Sequence, residues 1–163
     1  MQYYTGVGSR STPTLIRGQR HDVLHDMYHF ATLMETEGLT LRSGGARGAD
    51  AAFEAGVANP SMKEIYYASD IDESAAAIQA LAMAEAIHPA WYRCTEYVRK
   101  LHARNCMQVL GCDLRTPSSF LVCWTPAGED VGGTRTAIIL AKQHHIPVVN
   151  MFDPDWRDRI KIT

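Results

Sequence analysis

The stretch from Leu39 to Phe53, LTLRSGGARGADAAF, constrains the fold more than any other part of the chain. Leu39 and Leu41 alternate with Thr40 and Arg42, the period of a strand. The chain then breaks into Ser43-Gly44-Gly45-Ala46-Arg47-Gly48 and resumes as an alanine-rich run carrying Asp50. That pattern is strand, tight glycine turn, helix. Glycine lets the backbone reverse sharply and lets a ligand approach without a Cβ in the way. The amides of such a turn, and of the first turn of the helix, have no partners inside the helix; with the helix dipole they suit an anion, above all a phosphate. Arg47 adds a guanidinium that can hold phosphate at two points. Asp50 falls in the first helical turn, where a carboxylate complements the dipole. A single turn of this kind is equally at home in an ordinary βα connection, so the weight lies in its recurrence.

It recurs twice. Residues 2–7 read as a strand, and Gly6-Val7-Gly8-Ser9-Arg10 then turns the chain; Gly132-Gly133-Thr134-Arg135-Thr136 opens a helix running to about His145. Between these, Thr12 with Pro13 suggests a helix cap. A helix is clearest from His21 to Glu37, with Val23, Met27, Phe30 and Met34 as its buried stripe. A helix over 49–58 follows the central turn, then a strand over 63–68 and an alanine-rich helix over 74–87. Residues 91–111 read as one long or two broken helices and contain Arg104 and Asn105. The run 119–125, SFLVCWT, is the most apolar in the chain and suits a strand covered on both faces. Residues 146–152 give a last strand, and the charged tail suggests another short one. Strands alternating with helices, with no Asn-Gly hairpin signal, predict a single α/β domain over 1–163: a mostly parallel, Rossmann-like sheet with helices on both faces.

In a parallel sheet the three glycine turns share the carboxyl edge, where ligands of such folds bind. The candidate ligand-binding residues are therefore Gly8, Ser9 and Arg10 from the first turn; Ser43, Gly44, Gly45, Arg47, Gly48 and Asp50 from the second; and Gly132, Gly133, Thr134, Arg135 and Thr136 from the third. Arg104 and Asn105 offer a cation and a two-sided amide, or simply a helix surface. Trp124 ends the apolar strand, either to stack on a base or to fill the core. The third glycine of G-x-G-x-x-G is missing and no P-loop lysine is present, which argues against a redox NAD site and against an ordinary ATPase or GTPase. No cofactor is expected.

Composition narrows the partners. The net charge is −2, so no overall basic field is available for nucleic acid. No apolar run approaches the ~20 residues of a membrane helix, and Met1-Gln2-Tyr3-Tyr4 runs straight into a strand pattern, so a cytoplasmic protein is expected. Four cysteines, Cys94, Cys106, Cys112 and Cys123, form no C-x-x-C and read as reduced thiols. His21, His25 and His29 share a helix face with Asp22 and Asp26. Without an H-E-x-x-H pattern this reads as a solvated face, and no metal site is expected.

The segments VGSRSTP, SGGARGADAAF, the Arg104-Asn105 pair and GGTRTA occur in an order that resembles the Rossmann-like domain of the DNA-processing protein A (DprA/Smf) family, over roughly Thr5 to Phe152. The wider relatives are the SMF/DprA-LOG (SLOG) nucleotide-binding domains, and the size resembles small phage-encoded members. The resemblance implies nucleotide binding through the turn residues named above, and self-association. This chain departs from the pattern at Glu54, where the DNA-processing proteins carry His, and at Cys106, where they carry a second Arg; there is no room for their accessory domains. The Lonely Guy phosphoribohydrolases carry P-G-G-x-G-T-x-x-E in the last loop. Here Ile139 stands at the catalytic Glu and Arg135 replaces a glycine, which leaves Asp50, Glu54, Glu129 and Asp130 as candidate carboxylates. The leading expectation is a protein that senses or sequesters a nucleotide or nucleotide-derived ligand. An N-glycosidic hydrolase and a DprA-like single-stranded DNA binder are the alternatives.

Overall fold

The computed structural model describes residues 2–13 and 22–160. Its centre is a five-stranded sheet built from β1 (Gln2–Gly6), β2 (Leu39–Gly44), β3 (Lys63–Tyr66), β4 (Phe120–Cys123) and β5 (Val148–Asn150), in the order β3-β2-β1-β4-β5. Every pairing is parallel; Tyr4 of β1 lies beside Leu41 of β2 on one side and Phe120 of β4 on the other. The chain builds outward from β1 to β3, then returns to β1's other side for β4 and β5. The order reverses between β1 and β4, which opens a crevice at their carboxyl ends. The fold is thus α/β, parallel and Rossmann-like.

Helices cover both faces. On one lie α1 (Val23–Thr36), α2 (Ala49–Ala55) and the short α6 (Trp156–Arg159), packing Met27, Phe30, Met34, Phe53 and Trp156 against Tyr4 and Leu41. On the other lie α3 (Ala75–Ile87), α4 (Glu96–Leu110) and α5 (Arg135–Gln143). There Ala77, Ala80 and Ala84 of α3 are fully buried together with Ala103 and Cys106 of α4, small side chains that let the two helices approach closely. No helix among the described residues is long and apolar enough to cross a membrane.

The helix ends follow from local chemistry. Asp22 caps α1 by accepting the His25 N–H at 3.1 Å, and Ser74 and Thr95 cap α3 and α4 in the same way. Gly38, at φ +83°, turns the chain out of α1. Gly56 ends α2 against α1, where an added Cβ would come 2.2 Å from the Tyr28 carbonyl oxygen and 2.8 Å from the Ala31 Cβ. Backbone cannot yield as a flexible side chain can, so Gly56→Ala is expected to push the helices apart and destabilise by about 1–3 kcal/mol, read as a lower urea midpoint.

The strand expected from the alternation is present as β2, and its polar members Thr40 and Arg42 are each 2% exposed. β2 is a central strand, so both of its faces are covered. The tail forms α6 over 156–159, and the strand expected at its end reaches into 161–163, outside the described residues. Thr12 donates its hydroxyl to the Ser9 carbonyl within the first turn. The helix suggested after Pro13, and His21, lie outside the described residues. His25 and His29 are exposed neighbours, 2.8 Å apart at Nε2, and the described residues contain no group of three metal-binding side chains. All four cysteines are free; burial pushes the Cys106 and Cys123 thiols up to about 12.

Candidate functional site

The first glycine turn is an extension of β1 along β4. The Val7 N–H donates to the Val122 carbonyl at 3.1 Å, and the Ser9 N–H to the Trp124 carbonyl at 3.2 Å. The second turn rests against the first. Gly48 holds φ +84°, and an added Cβ there would lie 3.2 Å from the Ser9 carbonyl oxygen and 3.3 Å from the Arg10 Cα. A Cβ on Gly8 would come 2.5 Å from that of Ala49 at the start of α2. These two positions need glycine because two backbone turns meet. Ser43 fastens β2 to β1 by donating to the Gly6 carbonyl at 2.6 Å.

The third turn is tied to α4. The Asn105 amide donates to the Gly133 carbonyl at 2.9 Å, and His102 Nδ1 lies 2.9 Å from the Thr136 hydroxyl. α4 therefore spans the carboxyl edge of the sheet and gathers the turns around a cavity of about 360 Å³. Its lining includes Gly8, Ser9 and Arg10 of the first turn, Ala46 and Asp50 of the second, and Gly133 and Thr134 of the third, with Leu101, His102, Arg104, Asn105 and Gln108 from α4. The three chain reversals thus lie on one rim.

A second, more open cleft of about 640 Å³ adjoins it, with Arg10, Ala46, Leu101 and Arg104 common to both. This cleft adds Gly45, Arg47, Tyr67 and Tyr97. Among the described residues, none of Arg10, Arg47 and Arg104 pairs with a carboxylate within 4.0 Å. Gly45 lies flat under Tyr67, whose ring would meet an added Cβ at 2.1 Å.

Not every candidate reaches this rim. Gly132, Arg135 and Thr136 line a neighbouring hollow of about 300 Å³ with His88 and Pro89; it shares only His102 and Gly133 with the cavity. The Arg135 guanidinium donates instead to the Ile87 carbonyl at 2.9 Å. Trp124 is half-buried and packs with the α1–α2 side of the core, outside the cavity lining. Of the four candidate carboxylates, Asp50 alone lines the cavity; Glu129 is exposed, and Asp130 pairs with Lys142 at 2.7 Å.

Three titratable groups in the lining are displaced from their ordinary range, Arg104 downward by burial. Burial pushes the Asp50 carboxyl up to about 6, against the opposing pull of the Arg104 guanidinium. Burial, with His88 and Arg104 nearby, lowers His102 to about 4, so its imidazole is neutral near pH 7 and serves as a hydrogen-bonding group. His102, Gln108, Tyr67 and Tyr97 are lining residues that the motif reading passes over. The signal for those on α4 was its spacing: residues 97, 101, 104, 105 and 108 fall on one helical face beside the Arg-Asn pair. Comparison of the chain with protein-family models, with curated proteins and with solved structures finds no match.

Proposed function

We propose that the protein binds a nucleotide or a nucleotide-derived signal, to sense or sequester it, with the anion in the arginine cleft and the remainder in the adjoining cavity. The observation that carries this reading is the set Arg10, Arg47 and Arg104: three guanidiniums facing one cleft, with no carboxylate among the described residues paired to any of them. Three like charges near one carboxylate, Asp50, which pairs directly with none of them, still repel one another, and an anionic guest relieves that repulsion. Charge-assisted, two-point contacts make phosphate the anion such a cleft suits best. The resemblance to SLOG domains points the same way. Ile139 at the position of the Lonely Guy glutamate favours binding without turnover.

The test is a panel of nucleotides and oligonucleotides assayed by thermal shift and, in parallel, by chromatography for released base. A rise in melting temperature by mass action, without product, is the expected result. Base release would favour hydrolysis through Asp50. A salt-sensitive shift seen only with oligonucleotide would favour DNA binding. Arg47 is exposed and makes no ion pair among the described residues. Arg47→Ala should therefore weaken nucleotide binding about tenfold or more, the loss of a charged hydrogen bond, while the melting temperature of the free protein holds. Unchanged affinity would make the central turn structural only.

A further inference from the structure

Gln108 is the most unusual polar residue in the cavity. It is 1% exposed, yet neither its amide nitrogen nor its carbonyl oxygen has a hydrogen-bond partner among the described residues. A buried amide left without partners costs on the order of 1–3 kcal/mol, so such a group calls for an occupant to complete it. It sits in the cavity floor, above Gly44. Around the point where a Cβ on Gly44 would stand, Asp50 Oδ2 lies at 2.7 Å, Gln108 Nε2 at 2.8 Å and the Arg104 Cζ at 3.0 Å. The bare glycine is what lets an acceptor, a donor–acceptor amide and a guanidinium crowd together there. The Arg104 Nε is itself buried and has no partner among the described residues.

We infer that this floor is a hydroxyl-reading subsite that takes the vicinal diol of a ribose 5-phosphate unit, with Asp50 and Gln108 on the sugar hydroxyls and Arg104 marking the passage to the phosphate. The inference rests on the phosphate reading of the adjoining cleft. A carboxylate accepts from a hydroxyl, and a carboxamide can donate to and accept from the neighbouring one. A vicinal diol offers two donors and two acceptors side by side. Position argues for the sugar over the base: Arg104 lines both cavities, so the floor begins where the anion site ends. In a nucleotide the ribose, not the base, adjoins the phosphate. The guest is accordingly a ribonucleotide derivative, and DNA is selected against. An unfilled hydrogen-bonding site rejects an analogue lacking the hydroxyl, because the buried groups then stay unpaired.

The test avoids any choice of base. D-ribose 5-phosphate, 2-deoxy-D-ribose 5-phosphate and inorganic phosphate are titrated calorimetrically into the wild type and into Gln108→Met, which keeps the volume and removes the polarity. The wild type should prefer ribose 5-phosphate over the 2-deoxy sugar by about tenfold or more, the discrimination expected when buried groups lose their partner. Gln108→Met should reduce that preference to about threefold or less, leave inorganic phosphate affinity unchanged, and melt at or above the wild-type temperature, since an unpartnered amide has gone. Gln108→Leu, read in the same way, guards against a folding failure of the first variant and should also lose the preference. Equal binding of the two sugars by the wild type overturns the diol subsite and leaves the phosphate cleft standing. A preference that survives both substitutions overturns the role of Gln108. Binding of neither sugar nor phosphate overturns the subsite and the nucleotide reading together.

Discussion

Replacing Arg42 by alanine is expected to destabilise the protein by about 3–5 kcal/mol, a large part of the roughly 5–15 kcal/mol typical of a folded domain. Arg42 is 2% exposed and heads the fully buried side chains by size. Its guanidinium pairs with Glu64 at 2.9 Å, donates to the Thr116 carbonyl, and lies 3.7 Å from the centre of the Tyr3 ring. It thus joins three strands and the loop before β4. Truncation orphans the half-buried Thr116 carbonyl, opens a cavity under Tyr3 and leaves Glu64 without its cation. Arg42→Lys should recover little, because an ammonium cannot make the forked contacts or stack as a plane. Glu64→Gln should cost less, about 1–3 kcal/mol, because the amide oxygen can still accept from the Arg42 Nε although the buried guanidinium loses its counter-charge. Urea midpoints for the three variants check this; equal midpoints for Arg42→Ala and Glu64→Gln would mean that the pair, not the buried guanidinium, carries the effect.

Replacing Asp50 by asparagine should stabilise the protein above about pH 7, where an ordinary buried carboxyl of this kind is fully ionised. The folded carboxyl sits near 6 against an ordinary 3.8. A raised carboxyl contributes stability that is present below 3.8 and lost as pH rises through 6, because burying the ionised form costs free energy. The loss is on the order of 3 kcal/mol once ionisation is complete. The asparagine amide cannot ionise, so the variant and the wild type should have similar stability near pH 4 and diverge by up to about that amount at pH 7 to 8. His102 works in the opposite sense. Its lowered pKa gives stability present above 6.5 and lost as pH falls through 4. The two trends oppose one another in the wild type between pH 4 and 6, and Asp50→Asn should expose a profile that rises with pH. Denaturant titrations at a series of pH values measure it. A constant difference between the two proteins across pH would show that the ionised carboxylate is not destabilising. A carboxyl raised by burial in the lining of a cavity is a functional-site candidate on physical grounds.

The layout of strands and helices was legible in the chain because each apolar run is bounded by a glycine turn, a cap or a proline. Boundaries were less so: the last strand spans only Val148–Asn150, and the helix after the central turn ends at Ala55, since terminal residues there bond only in tight turns. The alternation of leucine with Thr40 and Arg42 marked a strand but not its place, and only the strand order reveals that both faces are covered. The three turns were visible as glycine, hydroxyl and arginine clusters, and their meeting follows from parallel strands. What the chain did not disclose was the contribution of α4. Gln108 and His102 are inconspicuous in a row of letters; they matter because α4 crosses the carboxyl edge of the sheet. Arg135, similar in sequence to Arg10 and Arg47, is turned to the Ile87 carbonyl by the end of α3, a contact between distant segments that no local pattern encodes.

The most direct measurement is a titration of isotopically labelled protein with a ribonucleoside 5′-monophosphate, followed through the backbone amide resonances of Gly8, Gly45 and Gly133, one from each turn. The account predicts that all three move together along a single saturable isotherm, while Gly38, at the opposite end of the sheet from the turns, stays fixed. Resonances that remain still at saturating nucleotide, or that move with separate affinities, would contradict a single site built from the three turns.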